Sequence, residues 1–179
     1  MSQNGIDFLR DQHRTVETLL DAVSSASPTE RGAKFDELRE LLAVHETAEE
    51  LILRPLTRAA IDNGNEIADA RFAEENEAKQ VLADLEKLDA STGEFLTKFE
   101  SFAIDVRKHA QNEETYEFAQ VEESQDEAAL GKLGTALAAA EKAAPTHPHP
   151  SAKTTTANLV LGPFASIVDR VRDAIKQAS

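Results

Sequence analysis

Two pentapeptides, "HETAE" at residues 45–49 and "HAQNE" at residues 109–113, each set a histidine and a glutamate four positions apart. That spacing puts each pair on one face of a helix. The face is otherwise apolar. Stepping by three and four residues, one candidate helix presents Leu38, Leu42, His45, Glu49, Ile52 and Leu56, and another presents Phe95, Phe99, Phe102, Val106, His109, Glu113 and Tyr116. Helices with such stripes must bury them against one another, and the polar residues in mid-stripe go inside with the rest.

The same period runs through the rest of the first two thirds of the chain. Pro and Gly are scarce before residue 131, while Ala, Leu, Glu and Lys abound, which favours helix. A first helix from Gly5 to Ala26 carries Leu9, His13, Val16, Leu20 and Val23 on one side. "SPTE" (27–30) reads as a helix start, with a Ser cap, Pro in the first turn and Glu three residues after the cap. The second helix then runs to about Asp62, and "NGN" (63–65) is a turn signal. A third, from about Ile67 to Leu88, turns Glu75, Ala78, Leu82 and Leu85 inward, with Glu74, Asn76 and Glu77 outside. "DASTGE" (89–94) breaks it, and the fourth runs from about Phe95 to Val121. The fold class is all-α, an up-down-up-down four-helix bundle with additional C-terminal helices. Residues 1–122 are read as the bundle and 123–179 as a helical extension. In the extension, an Ala-rich helix from about Asp126 to Lys142 is expected to pack on the bundle's outside or end. A Pro-rich linker, 143–156, then leads to a last amphipathic segment.

The bundle contains an internal repeat. "HRTVETLL" (13–20) and "ENEAKQVL" (75–82) share one polar and apolar pattern, with Glu75 in the place of His13. His45 and Glu49 likewise superpose on His109 and Glu113, with offsets of 62 and 64 residues that nearly agree. Two copies of one helical hairpin, packed face to face, gather His13, His45, Glu49, Glu75, His109 and Glu113 about a pseudo-twofold axis. Burying an uncompensated carboxylate costs several kcal/mol. The α-helical stripes carry no inward Lys or Arg, so the expected compensation is a pair of metal ions. Imidazole and carboxylate suit iron, manganese or zinc, and facing helices of a bundle are a known way to build such a site. Glu49 and Glu113, one from each hairpin, are the expected bridges. Tyr116, the single tyrosine, lies one turn beyond Glu113 and is a candidate extra ligand or neighbour of the metals.

His13 together with "HETAE" and "HAQNE" resembles the hemerythrin-like family, the HHE cation-binding domain, over about residues 7–122. "HPHP" (147–150) followed by "NLVLGP" (158–163) is similar to its actinobacterial type with a C-terminal extension. The resemblance implies two iron ions, oxo- and carboxylate-bridged, held by His13, His45, Glu49, His109 and Glu113. The chain departs from the family pattern at Glu75, where histidine is common. A more carboxylate-rich set argues against reversible O2 carriage and for chemistry on hydrogen peroxide, nitric oxide or O2, of a catalase- or peroxidase-like kind. The alternative is an O2, NO or iron binding, sensing or storage protein without turnover.

Composition excludes other classes. Without cysteine there is no disulfide framework, thiolate metal site or cysteine nucleophile. The net charge of −14 argues against nucleic acid and anionic membrane as partners. No secretory signal is visible and no apolar run approaches the ~20 residues of a membrane span, so the expected location is cytoplasmic. The amphipathic tail needs an apolar partner, its own bundle or a second chain, so a monomer or a homodimer is expected. His147 and His149, between prolines, read as an exposed linker rather than as ligands.

Overall fold

The computed structural model describes residues 3–144. The elements are α1 (Gly5–Ser25), α2 (Arg31–Ala48), a π-helical turn π1 (Glu49–Leu53), α3 (Arg54–Ala60), α4 (Gly64–Leu85), α5 (Gly93–Glu113), a second π turn π2 (Glu114–Phe118), α6 (Ala119–Ser124) and α7 (Glu127–Ala143). Among the described residues there is no strand, and no helix is long and apolar enough to cross a membrane. The backbone stays helical through the junctions at Glu49, Arg54, Glu114 and Ala119. α2–π1–α3 and α5–π2–α6 are therefore continuous rods, and with α1 and α4 they make the four-helix bundle. The linker beyond 144, His147, His149 and the last amphipathic segment lie outside the described residues.

Local chemistry sets the helix ends. The side chains of Asn4, Thr92 and Asp126 accept from the N–H groups of Ile6 (2.8 Å), Phe95 (3.2 Å) and Ala129 (2.7 Å), which caps α1, α5 and α7. "SPTE" behaves differently from its sequence signature. The Ser27 carbonyl accepts from Glu30 N–H and Arg31 N–H, both at 3.0 Å, and the Ser27 hydroxyl donates to the Glu30 carboxylate. These residues form a turn, and α2 starts one turn later, at Arg31. In "NGN", Asn63 adopts a left-handed conformation, φ 55°, which asparagine tolerates well. Gly64 follows so closely on α3 that a Cβ would lie 2.1 Å from the Thr57 carbonyl oxygen.

The apolar interior is two clusters, not one. Val16, Leu20, Val23, Phe35, Leu38, Leu42, Leu82, Leu85, Phe95, Phe99, Phe102 and Val106 fill one end of the bundle. Ile6, Leu9, Ile52, Leu53, Phe118 and Val121 fill the other, joined by Leu130, Leu133, Leu137 and Ala140 of α7. α7 therefore completes the core at the end where α1 begins. Gly134 permits its close approach, since a Cβ there would meet the Gln3 carbonyl oxygen at 2.2 Å. Each large side chain fully buried this way is worth ~1.5–3 kcal/mol. Between the clusters lies a polar layer.

The π turns decide which side chains enter that layer. π1 and π2 fall within one residue of equivalent positions in the two hairpins. Each fits an extra residue into the rod just after the glutamate of a His-x-x-x-Glu pair. The expectation for Tyr116 is corrected here: π2 buries Glu117 and Phe118, and Tyr116 is 58% exposed.

Candidate metal centre

The polar layer collects the six residues picked out by the sequence. His13 comes from α1, His45 from α2, Glu49 from π1, Glu75 from α4, and His109 and Glu113 from the end of α5. His13, His45, Glu49, Glu75 and Glu113 are buried and His109 is nearly so. His13 Nε2 lies 3.3 Å from Glu113 Oε2, His109 Nε2 lies 3.2 Å from Glu113 Oε1, and His45 Nε2 lies 3.6 Å from Glu49 Oε2. Two sets of donor atoms converge, each within 4.8 Å of one another: His13, His45, Glu49 and Glu113, and Glu46, Glu49, Glu75 and His109. Glu49 belongs to both sets. Glu113 turns one oxygen toward His13 and the other toward His109. Tyr116 belongs to neither set. Glu46 escaped the sequence reading because it lies off the apolar stripe, yet its i,i+3 spacing to Glu49 was a usable signal.

Behind each histidine stands a partner that orients it. His13 Nδ1 donates to Glu114, His45 Nδ1 to the side-chain amide oxygen Oε1 of Gln12 and His109 Nδ1 to Glu74, each at 2.8 Å. An ionised carboxylate only accepts, so Nδ1 of His13 and His109 carries the hydrogen and Nε2 faces the centre. This arrangement fixes ring tautomer and orientation in histidine metal sites. Gln12 in turn donates to Glu141, which ties α7 to the site. Glu74 also accepts from Asn112 and Arg71. Its expected place outside the bundle is thus corrected: it sits at the rim, reaching His109.

The expectation of no inward cation is overturned. Arg54, 4% exposed, enters the carboxylate layer. Its Nη2 reaches Glu75 Oε1 at 2.7 Å, Glu49 Oε2 at 3.3 Å and Glu113, and its Nη1 reaches both oxygens of Glu117 at 2.9 Å. Five residues after Glu49, Arg54 would lie roughly 140° around an ideal α-helix, on the opposite face. π1 wraps it back. Lys79 pairs in the same manner with buried Glu50.

One guanidinium does not satisfy the layer. His13 Nε2, His109 Nε2, Glu46 Oε2, Glu49 Oε1, Glu75 Oε2 and Glu113 Oε2 are buried without a hydrogen-bond partner. Unpaired buried polar atoms are individually costly and rare. Six facing one another, all imidazole nitrogen or carboxylate oxygen, fit cations of the iron, manganese or zinc kind.

Burial and mutual charge shift the titration of the layer's groups. Burial pushes Glu75 up to about 8, against the pull of Arg54. Burial, then the Glu113 charge, holds Glu49 well above the usual carboxylate range. Burial would also raise Glu113, but His109 and Arg54 hold it well below that range. Burial, reinforced by His13, drives His45 down to about 3, so this imidazole is neutral, as a ligand must be. Burial would lower His109, yet Glu113 holds it well above its ordinary value, so it carries a proton that a metal must displace. A groove of about 300 Å³ between α1 and α5, lined by His13, Arg14, Glu17, Arg107, Gln111 and Glu114, opens on the His13 side.

An all-helical bundle whose interior is divided by a layer of inward histidines and glutamates defines a cation-binding class of protein. The sequence matches the hemerythrin HHE cation-binding domain over residues 4–121, and the chain belongs to that family. A crystal structure of a hemerythrin HHE cation-binding domain-containing protein from Mycobacterium kansasii, an Rv2633c homolog, has the same fold. It superposes with a TM-score of 0.70 at 22% identity, covering 94% of this chain and 99% of that one. A comparison with curated proteins finds no match.

Proposed function

We propose that the chain carries a two-iron centre and acts on small oxidants such as hydrogen peroxide, nitric oxide or O2, in a catalase- or peroxidase-like manner. The observation that carries this reading is the set of six unpartnered buried donor atoms on His13, His109, Glu46, Glu49, Glu75 and Glu113. One ion would be held by His13, His45, Glu49 and Glu113, the other by Glu46, Glu49, Glu75 and His109. Glu49, common to both sets, would be shared by the two ions, and Glu113, whose Oε2 faces His13, would serve the first. Iron bound there would supply a Lewis acid and a source of single electrons for an O–O or N–O bond.

The protein's own residues do the rest. Glu114, Gln12 and Glu74 fix the three imidazoles. The two apolar clusters exclude bulk water from both ends of the layer. The groove at His13 offers the approach, and half-exposed Glu114, one of its lining residues, would connect the His13 ring to solvent as a proton carrier.

The test is direct. Iron-loaded protein is mixed with hydrogen peroxide in an oxygen electrode, and in parallel anaerobically with nitric oxide and hydrogen peroxide as its oxidant. Oxygen release, or nitric oxide consumption, with many turnovers per chain and its loss in Glu49→Ala is the expected result. Iron that binds and shifts its spectrum with these molecules but never turns over would replace this reading with a binding or sensing role.

A further inference from the structure

We infer that Arg54 is a permanent third cation of this centre: it takes one oxygen from each of three glutamates and leaves the other oxygen of each free for metal. The inference rests on the metal-binding reading above. The division of oxygens is complete. Glu49 gives Oε2 to Arg54 and keeps Oε1 unpartnered; Glu75 gives Oε1 and keeps Oε2; Glu113 gives Oε1 and keeps Oε2. Arg54 is held in turn from behind. Both oxygens of Glu117 accept from its Nη1 at 2.9 Å, the Thr57 hydroxyl donates to Glu117, and all three side chains are buried. Glu117 has no spare oxygen, so it is an anchor and not a further ligand.

Geometry makes this more than a salt bridge. A guanidinium is planar and always charged, and its fork fixes the directions of its acceptors. Three carboxylates gripped by one edge each are turned toward a common centre, alongside Nε2 of His13 and His109. The internal repeat underlines the point. At the repeat offset, Arg54 corresponds to Phe118, whose ring stacks on His13 at 5.3 Å. One hairpin contributes a cation and the other an aromatic ring, so the two halves of the layer are inequivalent, and the fixed charge sits among Glu49, Glu75 and Glu113. Two consequences follow. The carboxylate set stays assembled without metal. Once iron is bound, the nearby positive charge disfavours the more highly charged ferric state and offsets the carboxylate-rich donor set. Arg54 is thus a positioning residue.

The test compares full-length wild type with Arg54→Met, which removes the charge, and Arg54→Lys, which keeps the charge and loses the fork. Thermal unfolding is followed with chelator and with manganese(II), and the ratio of ferric to ferrous affinity is read from spectroelectrochemical titration of iron-loaded protein. R54M is expected to melt lowest without metal and to gain more from manganese than wild type does. Its ferric preference should rise at least ~10-fold, equivalent to ~59 mV for a one-electron couple. R54K is expected to gain more from manganese than wild type yet keep a ferric preference close to wild type, which a merely structural arginine would not predict. If R54M folds only with metal, that outcome supports the inference. Variants that gain no more from manganese than wild type, or an R54M with the wild-type ferric preference, overturn it. A wild-type chain that takes up no metal overturns the reading of the site itself.

Discussion

His109 and Glu75 enter the metal-free layer in the wrong protonation state for a ligand, and this has measurable consequences. Glu75, held at about 8, must lose a proton to ligate, as must His109. Metal binding at pH 7 should therefore release protons, and apparent affinity should rise with pH through about 8. Titration in weakly buffered indicator dye reads both; release of no proton contradicts the assignment. Without metal the sign is opposite. A raised carboxylate stabilises the fold below its ordinary value and loses that contribution as pH climbs through about 8. A depressed histidine, His45, contributes above its ordinary value and loses that contribution as pH falls from there toward about 3. Metal-free protein should thus melt highest between these limits, and a melt that rises steadily from pH 7 to 9 would contradict it. Glu74→Ala, which frees the His109 ring, should weaken metal binding ~10–100-fold while leaving the fold intact. Competition with a chromophoric chelator measures that. The histidines and glutamates were legible because they keep phase with the apolar stripes. Glu74, Glu114 and Gln12 were not, since a side chain that reaches inward from the rim looks solvated in sequence.

At the scale of elements, the four rods and the repeat were plain from periodicity, and their ends agreed to within a few residues. The π turns were not. An α-helical period allows either Tyr116 or Glu117 to follow Glu113 inward, and nothing local to the sequence announces the extra residue that chooses Glu117. The same blindness hid Arg54 behind π1. α7 offers a separate prediction. Gly134→Ala pushes a methyl group into the Gln3 backbone, which cannot yield as a flexible side chain would. It should destabilise by ~1–3 kcal/mol in urea unfolding. It should also loosen the Gln12–Glu141 link behind His45, so metal affinity falls with it. An unchanged midpoint would mean that α7 does not press on the bundle as described.

For the whole molecule, the two apolar clusters explain why the chain tolerates so polar a middle. Each end has its own aromatic or leucine-rich core, so the layer between them is free to carry charge that a single core would reject. The charge is compensated from inside by Arg54 and, in this account, by metal. That balance is the claim on which the rest depends. Elemental analysis of the purified chain, together with its visible spectrum and repeated on a His45→Ala, Glu113→Ala double variant, tests it most directly. Close to two iron ions per wild-type chain, with oxo-bridged ferric absorption and nearly complete loss in the double variant, is the predicted result. Wild-type protein that stays folded yet neither contains nor takes up metal would contradict it, for Arg54 alone would then be the cation this layer was built to hold.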